Sequence, residues 1–358
     1  MKKTSFALLF LSGTFLLSGQ MLIIEGEGTQ RKYDVRELEQ IRFAELDSLS
    51  NAALGLHTVT GIRQVRLSEI DCLDLSDTSE LTLHHAGKTD RYRYADIDHA
   101  EFMPVVIPDR PAEARSGSEF MEDILGTDFN EREPQILEAI LSGNIPDVLR
   151  EFITLRSTFR DANGDTHTVE YDVMTDYLSI GSNADHCRIP MGPQTAQQIA
   201  DVFGCILTTP KLCDDIWRHA TVRLTPIPYA PVGDNNSQVY KFVEHNEDIN
   251  AAREAAGGSF RELIAGIKKD VVICNAIKTK PGYVAIYGWH YQNGSPIQPL
   301  YTGHVDHYVD YSHGIRLVNA VVRVDGEPMD AYEILKDPVL YKLLSNEDGI
   351  MRLPRYRY

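Results

Sequence analysis

The sequence predicts an α+β protein in which an N-terminal all-β module of repeated hairpins precedes a larger mixed α+β domain. Three 22-residue segments align without a gap, a proline-rich stretch follows them, and the remainder mixes antiparallel-looking strand pairs with runs of helices. The chain of 358 residues exceeds a typical domain of about 100–200, which also favours two units.

Residues 1–19 have the pattern of an export signal. Lys2 and Lys3 form a basic start, and the apolar stretch FALLFLSGTFLL is too short to span a bilayer. We therefore expect cleavage near Gly19 and Gln20 and a secreted or periplasmic protein; a short anchor helix is the alternative. No later stretch is apolar enough to predict a membrane span.

The chain is strongly acidic. Loss of Lys2 and Lys3 with the signal leaves 33 of the 35 basic side chains against 52 acidic ones, so the net charge moves from −17 to −19. Attraction to phosphate needs the opposite sign, so we predict no nucleic-acid partner. The five cysteines include no CxxC pair, which disfavours a zinc knuckle and leaves disulfide pairing open.

The repeats define a β module over residues 20–105 and run over 22–43, 54–75 and 81–102. Each copy alternates apolar and polar residues on both sides of a glycine-containing turn, which indicates a β-hairpin with one buried face. One hairpin cannot bury that face alone, so we expect the three to pack together. The repeats resemble short N-terminal segments common in secreted bacterial proteins, a resemblance that implies a spacer or packing element without activity.

The stretch PVVIPDRPAEARSGS, residues 104–118, predicts a linker over residues 106–118, and the second domain follows over 119–358. In that domain, Asn163-Gly164 between alternating segments predicts a β-hairpin, and Pro210 predicts the start of a helix. Further helices are predicted in FMEDILGTDFNEREPQILEAILSGNIPDVLREF, IPMGPQTAQQIADVFGCIL and SQVYKFVEHNEDINAAREAA, buried strands at 271–273 and 284–287, and a closing hairpin and helix in NAVVRVDGEPMDAYEIL.

The run VAIYGWHYQNGSPIQPLYTGHVDHYVDYSHGIRLV, residues 284–318, combines an apolar strand pattern with many titratable side chains. Buried titratable groups need partners, so a cluster of them is costly unless it has a use. We therefore predict a functional site in this stretch, although each histidine taken singly has a structural or surface role as its alternative. The candidates are His290, His304, Asp306, His307, Asp310 and His313.

Two mechanisms are open for this run. In the first, His304, Asp306 and His307 bind a divalent metal such as zinc, which lowers the pKa of a bound water. In the second, the catalytic groups are Asp310, which orients a histidine, and His313 and His290, which transfer protons. If residues 307–317 form a strand, the side chains fall on two faces: His307, Tyr311 and His313 on one, and Asp310, Ser312 and Arg316 on the other.

The same run supplies candidates for substrate binding. Arg316 can hold a carboxylate through two hydrogen bonds, and Lys268, at the start of a buried strand, can supply a cation. Ser312, Tyr311 and Trp289 complete the predicted substrate-binding set. An aromatic platform for sugar rings is predicted from Trp289 with Tyr287, Tyr291 and Tyr301, and packing of the hairpin is its alternative.

A second candidate segment is NADHCRIPMGP, which follows a predicted strand. Asp185 lies in its loop, a usual place for catalytic carboxylates, and Cys187 stands beside His186 at a predicted helix entrance. If a histidine of the 284–318 run approaches Cys187, a Cys–His pair results. The alternative for this cysteine is a small buried apolar side chain.

The motifs DYLSIGSNADHCRIPM, TAQQIAD, AGIKKDVV, VAIYGWH and YVDYSHGIRLV together resemble a family of secreted bacterial proteins with no established activity. The resemblance covers about residues 150–345. It implies that these loops form one functional surface, and it supplies no residue roles.

The residues together favour an exported hydrolase that acts on a cell-envelope or extracellular polymer, peptidoglycan or another glycan, through a His/Asp site with or without a metal ion. The alternatives are a non-catalytic surface protein that binds glycan or protein, and a metal-capturing protein.

Overall fold

The computed structural model describes the chain except residues 1–3, 9–13, 19–20, 27–28, 35–37, 44–51, 59–60, 67–69, 78, 86–87 and 105–106. The chain divides into two compact units, Met1–Val106 and Ile107–Tyr358. The predicted cleavage point near Gly19 and Gln20 lies outside the described residues. The presence of both helices and several sheets confirms the predicted α+β class.

The first unit is built of strands. They are β1 (Thr4–Leu8), β2 (Thr14–Ser18), β3 (Met21–Gly26), β4 (Thr29–Asp34), β5 (Leu38–Phe43), β6 (Ala52–Thr58), β7 (Gly61–Arg66), β8 (Ile70–Asp74), β9 (Glu80–His85), β10 (Lys88–Arg93) and β11 (Ile97–Pro104). The pairs β3–β4, β6–β7 and β9–β10 are antiparallel, and their turns lie outside the described residues. The strands form two sheets, in the orders β1-β5-β8-β9-β10 and β4-β3-β2-β11-β6-β7.

The second unit mixes helices with short and long strands. Its helices are α1 (Gly117–Asp123), α2 (Phe129–Leu141), α3 (Pro193–Val202), α4 (Pro210–His219), α5 (Val239–Ala255) and α6 (Ala331–Lys336). Its strands are β12 (Phe152–Arg160), β13 (Thr166–Met174), β14 (Ser179–Gly181), β15 (His186–Arg188), β16 (Cys205–Leu207), β17 (Val222–Arg223), β18 (Ile264–Ala265), β19 (Lys269–Val271), β20 (Tyr283–His290), β21 (Pro296–Val305), β22 (His313–Gly314), β23 (Leu317–Asn319), β24 (Val321–Val324) and β25 (Glu327–Asp330).

Local sequence signals explain several of these elements. Strands β12 and β13 pair antiparallel around Asn163-Gly164, and Gly164 adopts a φ of 94°, which glycine tolerates best. Helix α4 begins at Pro210, and the Thr209 side chain accepts a hydrogen bond from the Leu212 backbone N–H. The hairpin and the helix start are therefore as predicted. Among the described residues, no helix combines the length and the apolar character needed to cross a membrane.

Two sheets organise the second unit. A six-stranded sheet has the order β16-β23-β13-β24-β25, with β12 paired to β13, and its residues join the main apolar core. A four-stranded sheet has the order β21-β20-β19-β22. In it, β19 runs parallel to β22 and pairs Lys269 with His313, so two segments distant in sequence meet at one sheet position.

Residues 107–116, which belong to the predicted linker, pack on the second unit. Ile107 is buried in its core. The Arg110 guanidinium donates hydrogen bonds to the Asn144 side chain and to the Gly181 carbonyl, at 3.0 and 3.1 Å. The compact unit therefore begins at Ile107, ahead of the first helix.

Candidate active site

The predicted strand over 307–317 is wrong: apart from β22 and the start of β23 at Leu317, this segment is loop and turn. The Asp310 carboxylate accepts hydrogen bonds from the Ser312 backbone N–H at 2.8 Å and from its hydroxyl at 2.5 Å. An aspartate that bonds the backbone two residues ahead favours a turn over a strand. The turn brings together Asp310 and His313, which strict alternation would place on opposite faces.

We name the His313 cluster after its central residue. It comprises Asp310, Ser312, His313, Lys269, His304 and Tyr308. Asp310 is 6% exposed and His313 is 1% exposed, and the nearest oxygen of the carboxylate lies 4.0 Å from His313 Nε2. Loop 306–312 and three strands of the four-stranded sheet, β19, β21 and β22, therefore supply the side chains of this polar cluster.

The two central residues carry opposite tendencies. Burial opposes ionisation of Asp310, but His313, Lys269 and the two Ser312 bonds lower its pKa to about 2. Burial lowers the pKa of His313 to about 4, and Lys269 acts in the same direction against the pull of Asp310. Neither ring nitrogen of His313 has a hydrogen-bond partner. At neutral pH the cluster thus holds a carboxylate beside a neutral imidazole with an unused acceptor.

The outer side of the cluster is half-buried. His304 stacks on Tyr308 with ring centroids 4.4 Å apart, and Tyr308 lies edge-on to His313 at 6.2 Å. The Lys269 ammonium lies 5.2 Å from the centre of the Trp289 ring, a cation–π distance that restrains the amine. Burial lowers the pKa of His304, so this ring is also neutral at neutral pH.

His290 belongs to a different group. Its Nε2 lies 2.9 Å from Asp214 Oδ1, and the Tyr287 hydroxyl donates to the same oxygen at 2.8 Å. The imidazole also stacks on Trp217 at 5.6 Å. These contacts bind His290 to Asp214 and Trp217. It therefore does not join the Asp310–His313 pair, with which it was predicted to act.

Lys268 is a buried amine rather than a group facing solvent. It is 1% exposed, and its ammonium donates to the Tyr311 carbonyl at 2.5 Å. Burial lowers its pKa to about 7, opposed by Cys187 and reinforced by Arg188. Its side chain therefore links the interior near Cys187 to the loop that carries Tyr311.

Three other residues predicted to bind substrate are engaged in the interior. Arg316 is 1% exposed, donates to the backbone carbonyls of Met174, Thr175 and Ile264, and lies 4.2 Å from the Tyr177 ring centre. The Tyr311 hydroxyl accepts from the Tyr229 backbone N–H at 2.6 Å. The Ser312 hydroxyl is buried and serves Asp310. Each therefore has a structural role in positioning the loop or the core.

Of the predicted aromatic platform, two members are exposed, and Tyr287 is partly buried. Tyr291 and Tyr301 are 48% and 44% exposed, whereas Trp289 is 3% exposed. Trp289 has a backbone φ of 57°, unusual for a bulky residue, which turns the chain so that its ring packs inward between His245 and Tyr311. The four rings thus do not share one surface.

Of the three predicted metal ligands, two are in contact, since His307 Nδ1 lies 3.4 Å from Asp306 Oδ1, but each of the three has other surroundings. His304 stacks on Tyr308, Asp306 accepts a hydrogen bond from the Gln194 amide at 2.6 Å, and the His307 side chain is 67% exposed. Among the described residues, no three His, Cys, Asp or Glu side chains are grouped so that they could hold a metal ion.

Asp185 and Cys187 lie together at another place, a cavity of about 610 Å³ between α1 and α5. Asp185 accepts from the Ser118 backbone N–H at 2.9 Å and from its hydroxyl at 2.5 Å, and these bonds lower its pKa against the effect of burial. Cys187 is buried, and burial raises the pKa of its thiol to about 12. The thiol is protonated at neutral pH, which does not suit a nucleophile.

Tyr308 and Asp214 were not identified from the sequence as site residues. Lys268 was predicted as the cation of the site, whereas the neighbouring Lys269 belongs to the His313 cluster. The β19–β22 pairing that brings Lys269 to His313 is parallel and non-local, so no nearby sequence signal identifies it. Tyr308 did have a sequence signal, since it stands inside the titratable run, directly after His307. Asp214 lies on helix α4, far from His290 in sequence.

Comparison of this chain with protein-family models, with curated proteins and with solved structures finds no match in any of the three.

Proposed function

We propose that this chain is an exported hydrolase of a cell-envelope or extracellular polymer, peptidoglycan or another glycan, with His313 as its general base. One observation carries the proposal: a buried, neutral imidazole without a hydrogen-bond partner stands 4.0 Å from an ionised carboxylate. A structural histidine in a core normally has its nitrogens satisfied, because an unpaired buried polar group costs about 1–3 kcal/mol.

The proposed step is a water attack on an acyl carbon. His313 Nε2 is the nitrogen near Asp310, so its N–H faces the carboxylate and Nδ1 accepts the proton of the water. The water oxygen bonds to the carbonyl carbon, whose π electrons move to its oxygen, and the Lys269 ammonium stabilises that oxyanion. The oxyanion electrons then re-form the C=O bond, and the bond from that carbon to the leaving nitrogen or oxygen breaks. The leaving atom keeps the bonding electron pair and takes the proton from the imidazolium, which Asp310 stabilises until then.

The chemistry of the cluster favours an amide or ester bond within the polymer over a glycosidic bond. Glycosidases typically use two carboxyl groups about 5–10 Å apart. Asp310 is the single carboxylate that we assign to the His313 cluster, and its pKa of about 2 makes it unsuitable as a general acid. A histidine base with a cationic neighbour fits acyl transfer instead.

Substrate access requires movement of the outer residues. His313 is 1% exposed, and the stacked pair of His304 and Tyr308 lies on its half-buried side. We expect this pair to swing outward when substrate binds and the Asp310–His313 separation to shorten, as catalytic hydrogen bonds often tighten in the substrate complex.

The test is hydrolysis of peptidoglycan and a panel of other envelope glycans by the full chain. His313→Gln and Asp310→Asn should each lower the rate by about 10²–10⁴-fold, the usual contribution of a positioned base. The matched control is His307→Gln, an exposed histidine in the same loop, which should retain full activity. Activity that survives both substitutions in the cluster would remove the catalytic assignment.

A non-catalytic binding protein of the cell surface is the second candidate, because an edge strand exposes apolar side chains. Strand β21 ends the four-stranded sheet, and Leu300, Tyr301 and Val305 on it are 40%, 44% and 36% exposed. An uncovered edge with exposed apolar groups is a common recognition surface. Retention of the chain on insoluble peptidoglycan, lost in Tyr301→Ser, with every hydrolysis assay silent, would favour this candidate.

A further inference from the structure

The cavity between α1 and α5 has walls from three segments, and we call it the α1–α5 cavity. Its volume of about 610 Å³ falls in the range of small-molecule sites. It is lined by Ser118, Met121, Glu122, Leu125, Ala184, Asp185, His186, Cys187, Tyr240, Val243, Glu244, Asn246, Glu247 and Asn250. Neither Asp310 nor His313 is among them, so this cavity is distinct from the His313 cluster.

Backbone contacts make the cavity a built feature. A Cβ at Gly117 would lie 2.5 Å from His186 Cα, so the glycine lets α1 approach β15 closely. On the other side, the Asn246 amide donates to the His186 carbonyl at 2.9 Å, and its oxygen accepts from the Arg188 N–H at 3.1 Å. These contacts hold the strand between the two helices.

The lining carries one sign of charge. It includes Glu122, Asp185, Glu244 and Glu247 and no Lys or Arg. The Asp185 carboxylate accepts a hydrogen bond from the Ser118 hydroxyl, and Glu244 Oε2 lies 2.5 Å from Lys241 Nζ. Glu122 and Glu247 are exposed to solvent. A concave site lined by carboxylates concentrates cations.

A buried and unsatisfied side chain lies in the same place. His186 is 8% exposed and lines the cavity, and neither of its ring nitrogens has a hydrogen-bond partner. Its ring stacks on Phe260 at 4.2 Å. Burial lowers its pKa to about 4, with Arg188 and Arg253 lowering it and Asp176 and Asp185 raising it, so the ring is a neutral acceptor at neutral pH.

From the cavity, its carboxylates and the unpartnered imidazole, we infer that the α1–α5 cavity binds an aliphatic primary amine. Met121, Leu125 and Val243 would contact the aliphatic chain, and His186 and the carboxylates would receive the ammonium N–H groups. Helix α5 presents Tyr240, Val243, Glu244, Glu247 and Asn250 at the three- and four-residue spacing of one helical face, so acidic and apolar contacts are available together.

The test is calorimetric titration of the purified chain with hexylamine, hexan-1-ol and hexanoate. Hexylamine should bind at least about tenfold more tightly than the neutral alcohol, and hexanoate should not bind. Added salt should lower the affinity for hexylamine. Nα-acetyl-lysine amide separates the two sources of the ligand: binding comparable to hexylamine indicates an amine carried on a peptide, and weaker binding indicates a free amine.

Matched variants locate the site. Glu122→Gln and Glu247→Gln should each lower the affinity for hexylamine about two- to fivefold, as expected for partly exposed charges. The affinity for hexan-1-ol should not change. Glu254→Gln, on the same helix but outside the lining, should change nothing. His186→Phe keeps a ring against Phe260 and removes the nitrogens, so it should also weaken the amine.

Three results would overturn the assignment. The first is equal affinity for hexylamine and hexan-1-ol, and the second is an equal effect of Glu247→Gln and Glu254→Gln on amine binding. The third is the absence of saturable hexylamine binding up to about 10 mM, a concentration that corresponds to a binding free energy of about 3 kcal/mol. None of these measurements uses hydrolysis, so failure here leaves the His313 proposal standing and the reverse also holds.

Discussion

Replacement of His245 by leucine should make the second unit less sensitive to acid. His245 is completely buried among Tyr229, Tyr311 and Trp289, and burial, reinforced by Lys268 and Arg188, lowers its pKa to about 2. In the unfolded chain a histidine has a pKa of about 6.5. As the pH falls below about 6.5, the unfolded chain therefore binds a proton that the folded chain does not, and the free energy of unfolding decreases.

The size of the effect follows from these two values. Between pH 7 and pH 5 the folded site stays unprotonated, while the unfolded histidine becomes almost fully protonated. At about 1.4 kcal/mol per pH unit, this one group lowers the free energy of unfolding by about 2 kcal/mol over that interval. The loss continues until the pH approaches the folded pKa of about 2.

The assay is urea unfolding of the full chain at pH 7 and pH 5, followed by tryptophan fluorescence. Both tryptophans, Trp217 and Trp289, lie in the second unit, so the signal reports on that unit. The free energy of unfolding should fall by about 2 kcal/mol less in His245→Leu than in the unchanged protein. His307→Leu, at an exposed position, serves as control and should behave like the unchanged chain. Equal pH dependence in His245→Leu and the unchanged protein would refute the reasoning.

Three further outcomes are expected. The ion pair of Asp176 and Arg188 is buried, so Asp176→Asn should cost about 3–5 kcal/mol in urea unfolding, whereas Glu151→Gln in an exposed pair should cost less than about 1 kcal/mol; equal costs would contradict this. Burial lowers the pKa of the Lys268 amine to about 7, whereas the unfolded chain keeps the proton up to about pH 10, so the free energy of unfolding should rise between these pH values. Lys268→Met should raise the free energy of unfolding at pH 7 and remove this rise. The same pH dependence in Lys268→Met and the unchanged chain would show that the amine is not desolvated. In the hydrolysis assay, kcat/KM should fall as the pH drops through about 4, where His313 takes up a proton; a limb near pH 6.5 would point to another base.

Local signals in the sequence were enough to predict elements of the second unit. Asn163-Gly164 specifies its hairpin and Pro210 its helix start through backbone preferences that act within a few residues. The turn at Asp310 was missed because the surrounding residues alternate like a strand, and the side-chain bonds to Ser312 outweigh that pattern.

The candidate site was predicted in part for the same reason. Asp310 and His313 are three residues apart, so a turn alone brings them together. Lys269 joins them through a parallel strand pairing, and Arg316 is drawn inward by three backbone carbonyls. Such partners are set by the tertiary fold, and the spacing of residues along the chain contains no record of them.

The four cysteines of the second unit, Cys187, Cys205, Cys213 and Cys274, are all buried free thiols. None of these four sulfurs is cross-linked to another, so packing alone holds the described structure of this unit together. The rate at which an alkylating reagent labels these thiols therefore measures how often the interior opens, because a buried thiol reacts only after local or global unfolding.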